Sequence, residues 1–199
     1  MADISIDEIK RLRELTGVGI TDAKQALQAA GGDFDKALSE MRKKGLTKAE
    51  KRGEREARAG LIGSYVHDGR IGVLVEVNCE TDFVAKTDEF KELVKDLSLH
   101  IAASAPEFVS TDEVPAETKK AAEKEFAEKA KADGKPDNMI TQIVEGMLKK
   151  HFAEKALLNQ PFVKNPDQTV ADVVKEANAK LGENIVVRRF SRLALGEVN

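Results

Sequence analysis

Apolar residues recur at helical spacing in three short blocks within the first 45 residues. The first block begins beside Ser5 and Glu8, whose spacing is that of a capping box, in which each side chain bonds the other residue's backbone. Gly17 follows this block and is expected to end the helix, because glycine adopts the left-handed conformation at little cost. The apolar positions of the three blocks are Ile6, Ile9, Leu12 and Leu15; Ala23, Ala26, Leu27 and Ala30; and Phe34, Ala37, Leu38 and Met41.

The other two blocks have start and stop residues of their own. Thr21 is the expected N-cap of the second helix, and Gly31-Gly32 is its expected end. Asp33 is the expected N-cap of the third helix, and Gly45 is its expected end. The pattern therefore predicts a headpiece of three helices with a small core, which by itself would be marginally stable.

A different pattern follows, in which apolar residues occupy every second position from Ile71 to Val77. Such alternation is typical of a β-strand with one buried face. Asp68-Gly69 precedes the strand and favours a two-residue type I′ turn. We therefore predict a β-hairpin whose two strands bury the same face, with the pairs Val66–Ile71, Ser64–Val73 and Ile62–Val75.

The rest of the chain predicts four helices and one more strand. A helix capped by Thr87 is followed by an exposed charged helix over 115–132 and by helices over 138–158 and near 169–181. The strand within 184–195 is expected to join the hairpin as a third antiparallel strand, because a two-stranded hairpin alone is marginal. The fold class is therefore α+β, a helical headpiece followed by a three-stranded antiparallel sheet packed by helices.

These elements divide the chain into a three-helix domain over 1–45, a charged linker over 46–57 and an α+β core over 58–199. The connecting region, residues 43–58, contains seven basic and three acidic residues. Such a run is either a solvated linker or a weak electrostatic handle for RNA or an acidic partner.

The overall composition is that of an ordinary globular chain, with 199 residues, 41% hydrophobic and 34% charged. The net charge of −3 argues against a general nucleic-acid coat, and no direct nucleic-acid binding is expected. The single cysteine excludes an intrachain disulfide. No run resembles a signal peptide or a membrane span, so we expect a cytoplasmic protein without a membrane partner.

The sequence does not indicate a catalyst of covalent chemistry. His67, His100 and His151 are far apart and lack metal-ligand spacing, and no phosphate-binding glycine loop occurs, so neither a metal site nor a cofactor is expected. His100 lies beside the apolar stripe of its helix, so it is either a structural histidine or a partner contact. Cys79 ends a strand and is interpreted as a small buried residue.

One aromatic residue stands out in NCETDFVAKTDEF, residues 78–90, where a strand gives way to a helix. Phe83 lies in the short polar turn between them. It either folds back over the end of the sheet or forms an exposed anchor for a partner. Asp82 beside it either caps the turn or accepts a hydrogen bond from the partner.

Several runs together resemble bacterial elongation factor Ts over essentially the whole chain, and TDFV at a strand-to-helix corner is the specific signature. The runs are LRELTGVGITDAKQALQAAGGDFDKALSEMRKKG, GLIGSYVHDGRIGVLVEVNCETDFVAKTDEF, LHIAAS, QIVEGMLKKHF, QPFVK and GENIVVRRF.

The resemblance implies a guanine-nucleotide exchange factor for elongation factor Tu, the GTPase that delivers aminoacyl-tRNA to the ribosome. It implies that Thr81, Asp82, Phe83 and Val84 dislodge Mg²⁺ from that partner, with Phe83 inserted near the nucleotide and Asp82 supporting it. It also implies that the headpiece is UBA-like and docks on the GTPase domain. Its contact positions would be Arg13, Ile20 and Thr21, the last two being methionines in many relatives.

The length resembles a short form of the family, in which a homodimer is expected to supply a missing half. The helix over 138–158 and the strand over 184–195 are the candidate dimer elements. Three alternatives stay open: an RNA- or ribosome-binding module that uses the basic connector, a ubiquitin-type adaptor suggested by the headpiece, and an enzyme. Salt-sensitive binding that does not depend on Phe83 would indicate the first.

Overall fold

The computed structural model describes residues 4–16 and 18–197, apart from the side chains of residues 45–51 and 137. The predicted helix end at Gly17 lies outside the described residues. The chain forms two compact units. The first unit comprises Met1–Gly63, Val75–Asp96 and Asp172–Arg188, and the second comprises Ser64–Leu74, Leu97–Ala171 and Arg189–Asn199.

The first unit begins with the three predicted helices, α1 (Ile6–Thr16), α2 (Ile20–Ala29) and α3 (Phe34–Arg52). The capping box is confirmed, because the Ser5 and Glu8 backbone N–H groups each donate to the other's side chain at 3.1 Å. The headpiece core consists of small and medium apolar side chains, namely Ile9, Leu12, Ala23, Ala26, Leu27, Ala30, Ala37 and Met41.

Two details of the headpiece prediction are wrong. The N-cap of α2 is Gly19, not Thr21, so that Thr21 lies in the first turn of the helix. The third helix does not end at Gly45 but continues to Arg52, through much of the predicted linker. One glycine costs a helix only about 1 kcal/mol, and the Lys, Ala, Glu and Arg residues that follow are good helix formers. Asp33 does cap α3, since its Oδ1 accepts the Lys36 N–H at 3.0 Å.

The sheet has three antiparallel strands in the order β1 (Ala59–His67), β2 (Ile71–Cys79) and the C-terminal β5 (Val186–Ala194). Asp68 and Gly69 have φ values of 48° and 66°, as a type I′ turn requires. The Arg70 N–H donates to the His67 carbonyl at 2.9 Å and closes that turn. Both the hairpin turn and the position of the last strand are therefore confirmed.

The expectation that both hairpin strands are buried on the same face holds only for β2. Val73, Val75 and Val77 are buried, whereas Ile62 and Val66 of β1 are 70% and 67% exposed. Because β1 is an edge strand, its side chains lack a neighbouring strand on one side. Pairing with the buried residues of β2 is therefore not enough to bury the side chains of β1.

The remaining helices are α4 (Asp82–Ala85), α5 (Asp88–Ser104), α6 (Ala116–Ala132), α7 (Asp137–Lys155) and α8 (Val170–Leu181). All but α4 match predicted helices to within a few residues. A small antiparallel pair, β3 (Pro161–Phe162) and β4 (Asn165–Thr169), was not predicted, because β3 has only two residues and the sequence of β4, NPDQT, is polar and lacks an alternating apolar pattern. None of the helices in the described ranges is long and apolar enough to cross a membrane.

His100 lies in the second unit, where it is fully buried and belongs to a hydrogen-bond network. Its Nδ1 accepts the Val163 N–H at 3.2 Å, so its Nε2–H donates to the Gln160 Oε1 at 3.0 Å. The Gln160 amide in turn donates to the Glu154 carbonyl at 2.9 Å. Burial lowers the pKa of His100, and the Gln160 bond opposes that shift. The structure thus favours the structural interpretation of this histidine.

Gly60 provides a test of the hairpin. A Cβ at this position would lie 2.1 Å from the Val77 carbonyl oxygen, and the φ of Gly60 is 146°. We expect Gly60→Ala to lower the free energy of unfolding by about 3 kcal/mol. The matched control is Gly72→Ala, whose new Cβ would meet no atom within 4 Å. Urea unfolding measures both, and equal effects of the two variants would contradict the close strand approach.

The buried imidazole predicts a pH dependence of stability. Because the pKa of His100 is lowered on folding, its contribution is fully present above the ordinary value of 6.5 and is lost as the pH falls below that value. The slope from one such group is at most about 1.4 kcal/mol per pH unit. Urea unfolding of the wild-type protein and His100→Asn between pH 8 and 5.5 should show converging stabilities. Parallel curves would contradict the prediction.

Candidate partner-binding site

The turn that carries Phe83 is a single turn of helix, α4, placed directly after the end of β2. Phe83 is 86% exposed, whereas Phe90 in the next helix is fully buried. Ala85, on the other side of the same turn, is also buried. The ring therefore does not fold back over the sheet, and the structure presents it as the anchor interpretation requires.

Threonine hydroxyls fix the turn at both ends. Thr81 is the N-cap of α4, and its Oγ1 accepts the Val84 N–H at 3.4 Å. Thr87 donates from its hydroxyl to the Val84 carbonyl at 2.8 Å and accepts the Phe90 N–H at 3.3 Å. The predicted cap of α5 at Thr87 is thus confirmed. The capping hydroxyl of α4 belongs to Thr81, and the neighbouring Asp82 is exposed to solvent.

Two glutamates, 103 residues apart in the chain, accept hydrogen bonds from backbone N–H groups at the base of this turn. The Glu183 Oε2 accepts the N–H groups of Glu80 and Thr81, both at 3.0 Å, and its Oε1 accepts the Thr81 hydroxyl at 2.6 Å. In return, the Glu80 Oε1 accepts the Asn184 N–H at 2.7 Å. We call these four bonds the Glu80–Glu183 clamp.

A buried amide extends the clamp to the end of the connector. The Asn184 side chain donates to the carbonyls of Gly53 and Arg55, at 3.3 and 2.7 Å. The Arg55 guanidinium also lies 3.5 Å from the second carboxylate oxygen of Glu80. Three segments distant in sequence therefore meet behind the Phe83 turn. Sequence reasoning missed Glu80, Glu183 and Asn184, because a pairing across about a hundred residues leaves no local pattern.

Cys79 lies fully buried at the base of the turn, and its Sγ donates to the Thr81 carbonyl at 3.2 Å. Burial raises the pKa of the thiol, and the nearby Glu183 carboxylate raises it further. The sulfur is therefore a protonated hydrogen-bond donor at neutral pH rather than a nucleophile. This agrees with the interpretation of Cys79 as a small buried residue.

The other predicted contact residues fall into two groups. Arg13 lies in the last turn of α1, and Ile20 and Thr21 begin α2; all three side chains are exposed. His100 is buried, with both ring nitrogens engaged inside the protein, so its ring surface is not available to a partner. Among the described residues, no group of three or more His, Cys, Asp or Glu side chains could hold a metal ion.

Comparison with known proteins gives a consistent result. The family model described as elongation factor TS matches residues 46–197. An elongation factor Ts from Heliobacterium modesticaldum is 51% identical over 190 residues, covering 95% of this chain and 88% of the relative. One from Geobacter sulfurreducens is 48% identical, covering 98% and 90%. One from Coprothermobacter proteolyticus is 49% identical, covering 98% of this chain and the whole relative.

Proposed function

Because the chain belongs to the elongation factor Ts family and is thus a translation elongation factor, we propose that it is a guanine-nucleotide exchange factor for elongation factor Tu. The observation that carries the proposal is the exposure of Phe83 on a turn fixed from behind by hydrogen bonds. A large aromatic ring held away from its own core has the properties of an interface anchor. The site of action is the cytoplasm, where translation takes place.

In the proposed mechanism, Phe83 inserts into the GTPase domain of elongation factor Tu near the nucleotide, and Asp82 accepts a hydrogen bond there. Mg²⁺ requires near-ideal octahedral geometry and bridges the protein to phosphate oxygens. A small displacement of the elements that hold the ion therefore weakens its binding and that of GDP. The contribution of residues 81–84 is to force this displacement, and the fixed turn allows the ring to do so without yielding.

Exchange then follows from linkage between two binding equilibria. If the factor lowers the affinity for GDP, GDP lowers the affinity for the factor by the same ratio. The factor therefore binds best to nucleotide-free elongation factor Tu, and incoming GTP releases it. No bond is made or broken in this cycle, so the factor needs neither a catalytic residue nor a cofactor of its own.

The headpiece supplies a second contact in this proposal, as a UBA-like domain over residues 1–45 joined to the core over 58–199. Exposure of Arg13, Ile20 and Thr21 supports this role. Since Gly19 occupies the N-cap of α2, the Thr21 hydroxyl is not committed to capping.

A homodimer is also part of the proposal, with α7 and β5 as its elements. Support comes from exposed apolar side chains, namely Met139 of α7, Leu193 of β5 and Leu195 directly after β5. Exposed apolar residues on an edge strand are suited to association with a second chain. Direct binding of nucleic acid is not part of this function.

The test is release of fluorescent GDP from cognate elongation factor Tu by the wild-type protein and by Phe83→Ala. We expect the wild-type protein to accelerate GDP release. The release rate with Phe83→Ala should be at least about 30-fold lower, which corresponds to about 2 kcal/mol for an anchor residue. Because the ring is exposed, the substitution should change the free energy of unfolding by less than about 0.5 kcal/mol.

Val163→Ala is the matched control, since the apolar side chain of Val163 is exposed and alanine keeps the backbone N–H that bonds His100. It should exchange like the wild-type protein. Acceleration that Phe83→Ala leaves intact would keep exchange but overturn the role of the ring. No acceleration by a folded sample would overturn the exchange function and leave RNA binding as the next hypothesis to test.

A further inference from the structure

We propose that Glu183 is a positioning residue for Phe83: its carboxylate holds the backbone immediately before α4 and so fixes the direction in which the ring is presented. The inference rests on the proposed function of Phe83. It goes beyond that function in assigning a role to a residue 100 positions away that does not itself contact the partner. The juxtaposition that carries it is the three hydrogen bonds from Glu80 and Thr81 to one carboxylate.

The geometry of these bonds is suited to fixing an orientation. Two successive backbone N–H groups point at one carboxylate oxygen, and the hydroxyl of Thr81 binds the other at 2.6 Å. Hydrogen bonds to an ionised acceptor are about twice as strong as bonds between neutral groups. The same Thr81 hydroxyl caps α4, so the carboxylate orders the cap and the peptide planes that lead into Phe83.

The segment that carries Glu183 is itself held in place. Gly182 has a φ of 76°, and its N–H donates to the Asn178 carbonyl at 3.1 Å, which ends α8 in a tight left-handed turn. Three residues later, the Ile185 N–H donates to the Asn178 Oδ1 at 3.0 Å. Hydrogen bonds on both sides of Glu183 therefore fix the loop that carries it. Because that loop is fixed to the end of α8, the carboxylate can hold the Phe83 turn in one position.

A purely stabilising role would predict a different outcome from a positioning role. Thr81 is exposed and Glu183 is partly exposed, so water can satisfy the freed N–H groups if the carboxylate is removed. The free energy of unfolding then changes little, while the Phe83 turn becomes free to reorient. We therefore expect exchange activity to fall much more than stability when Glu183 is changed.

The experiment compares Glu183→Ala and Glu183→Gln with the wild-type protein in GDP release from elongation factor Tu. Glu183→Ala should lower the saturating release rate about tenfold, with the half-saturating concentration changed less than about twofold. Glu183→Gln keeps an acceptor oxygen but not the charge, so its rate should lie between the two. Glu125→Ala removes an exposed acid from α6 and controls for the change in net charge.

The decisive comparison repeats Glu183→Ala in a Phe83→Ala background. If Glu183 acts through the ring, the second substitution lowers the rate no further once the ring is absent. An equal loss in both backgrounds would overturn the positioning role. The positioning role would also be overturned if Glu183→Ala kept full activity while Phe83→Ala was impaired. That result would leave the proposed function of Phe83 unaffected. If Phe83→Ala itself has no effect, the proposed role of the ring fails first.

Amide hydrogen exchange provides a readout independent of activity. The Glu80 and Thr81 N–H groups should be protected in the wild-type protein and should exchange faster in Glu183→Ala, while the amides of the headpiece core keep their protection. Unchanged protection at both positions would contradict the clamp, and loss of protection throughout would show that Glu183 supports the whole fold instead. Glu183→Gln, the milder change, provides the same test if the alanine variant does not fold.

Discussion

The hydrogen bonds that the carboxylates of Glu80 and Glu183 accept are the constraint on which the site depends. Each carboxylate accepts backbone N–H groups from the segment that carries the other, so the end of β2 and the loop after α8 fix one another. Buried Asn184 adds the end of the connector to the same junction. These bonds satisfy the backbone N–H groups of Glu80, Thr81 and Asn184 at the point where the chain ends a strand and turns.

Exposure of that ring is the feature that folding alone does not explain. A phenylalanine gains free energy from burial, and Phe90, seven residues further along, is fully buried. Phe83 instead faces solvent from a one-turn helix whose other side, at Ala85, is buried. In the proposed mechanism, the Phe83 ring becomes buried only when it binds the partner, where it displaces the groups around Mg²⁺. A rigid turn increases the effect, since little orientational freedom remains to be lost on binding.

Local patterns predicted the elements well and their limits less well. Asp68-Gly69 indicated the hairpin turn and Thr87 indicated the cap of α5, because both depend on chemistry within a few residues. Gly45 did not end α3, because the residues after it favour helix strongly enough to outweigh one glycine. The side chain of Phe83 had two physically reasonable positions, and only the tertiary structure distinguishes them. The clamp could not be predicted from the sequence, since its partners are about a hundred residues apart.

In the mechanism proposed above, the fixed ring of Phe83 releases GDP by loosening Mg²⁺. The most direct measurement is GDP release from elongation factor Tu by the wild-type protein and by Phe83→Ala, first with Mg²⁺ in excess and then with Mg²⁺ removed by a chelator. The account predicts a large difference between the two proteins when Mg²⁺ is present and a much smaller one when it is absent. A difference of the same size under both conditions would contradict it and place the action of the ring elsewhere in the nucleotide site.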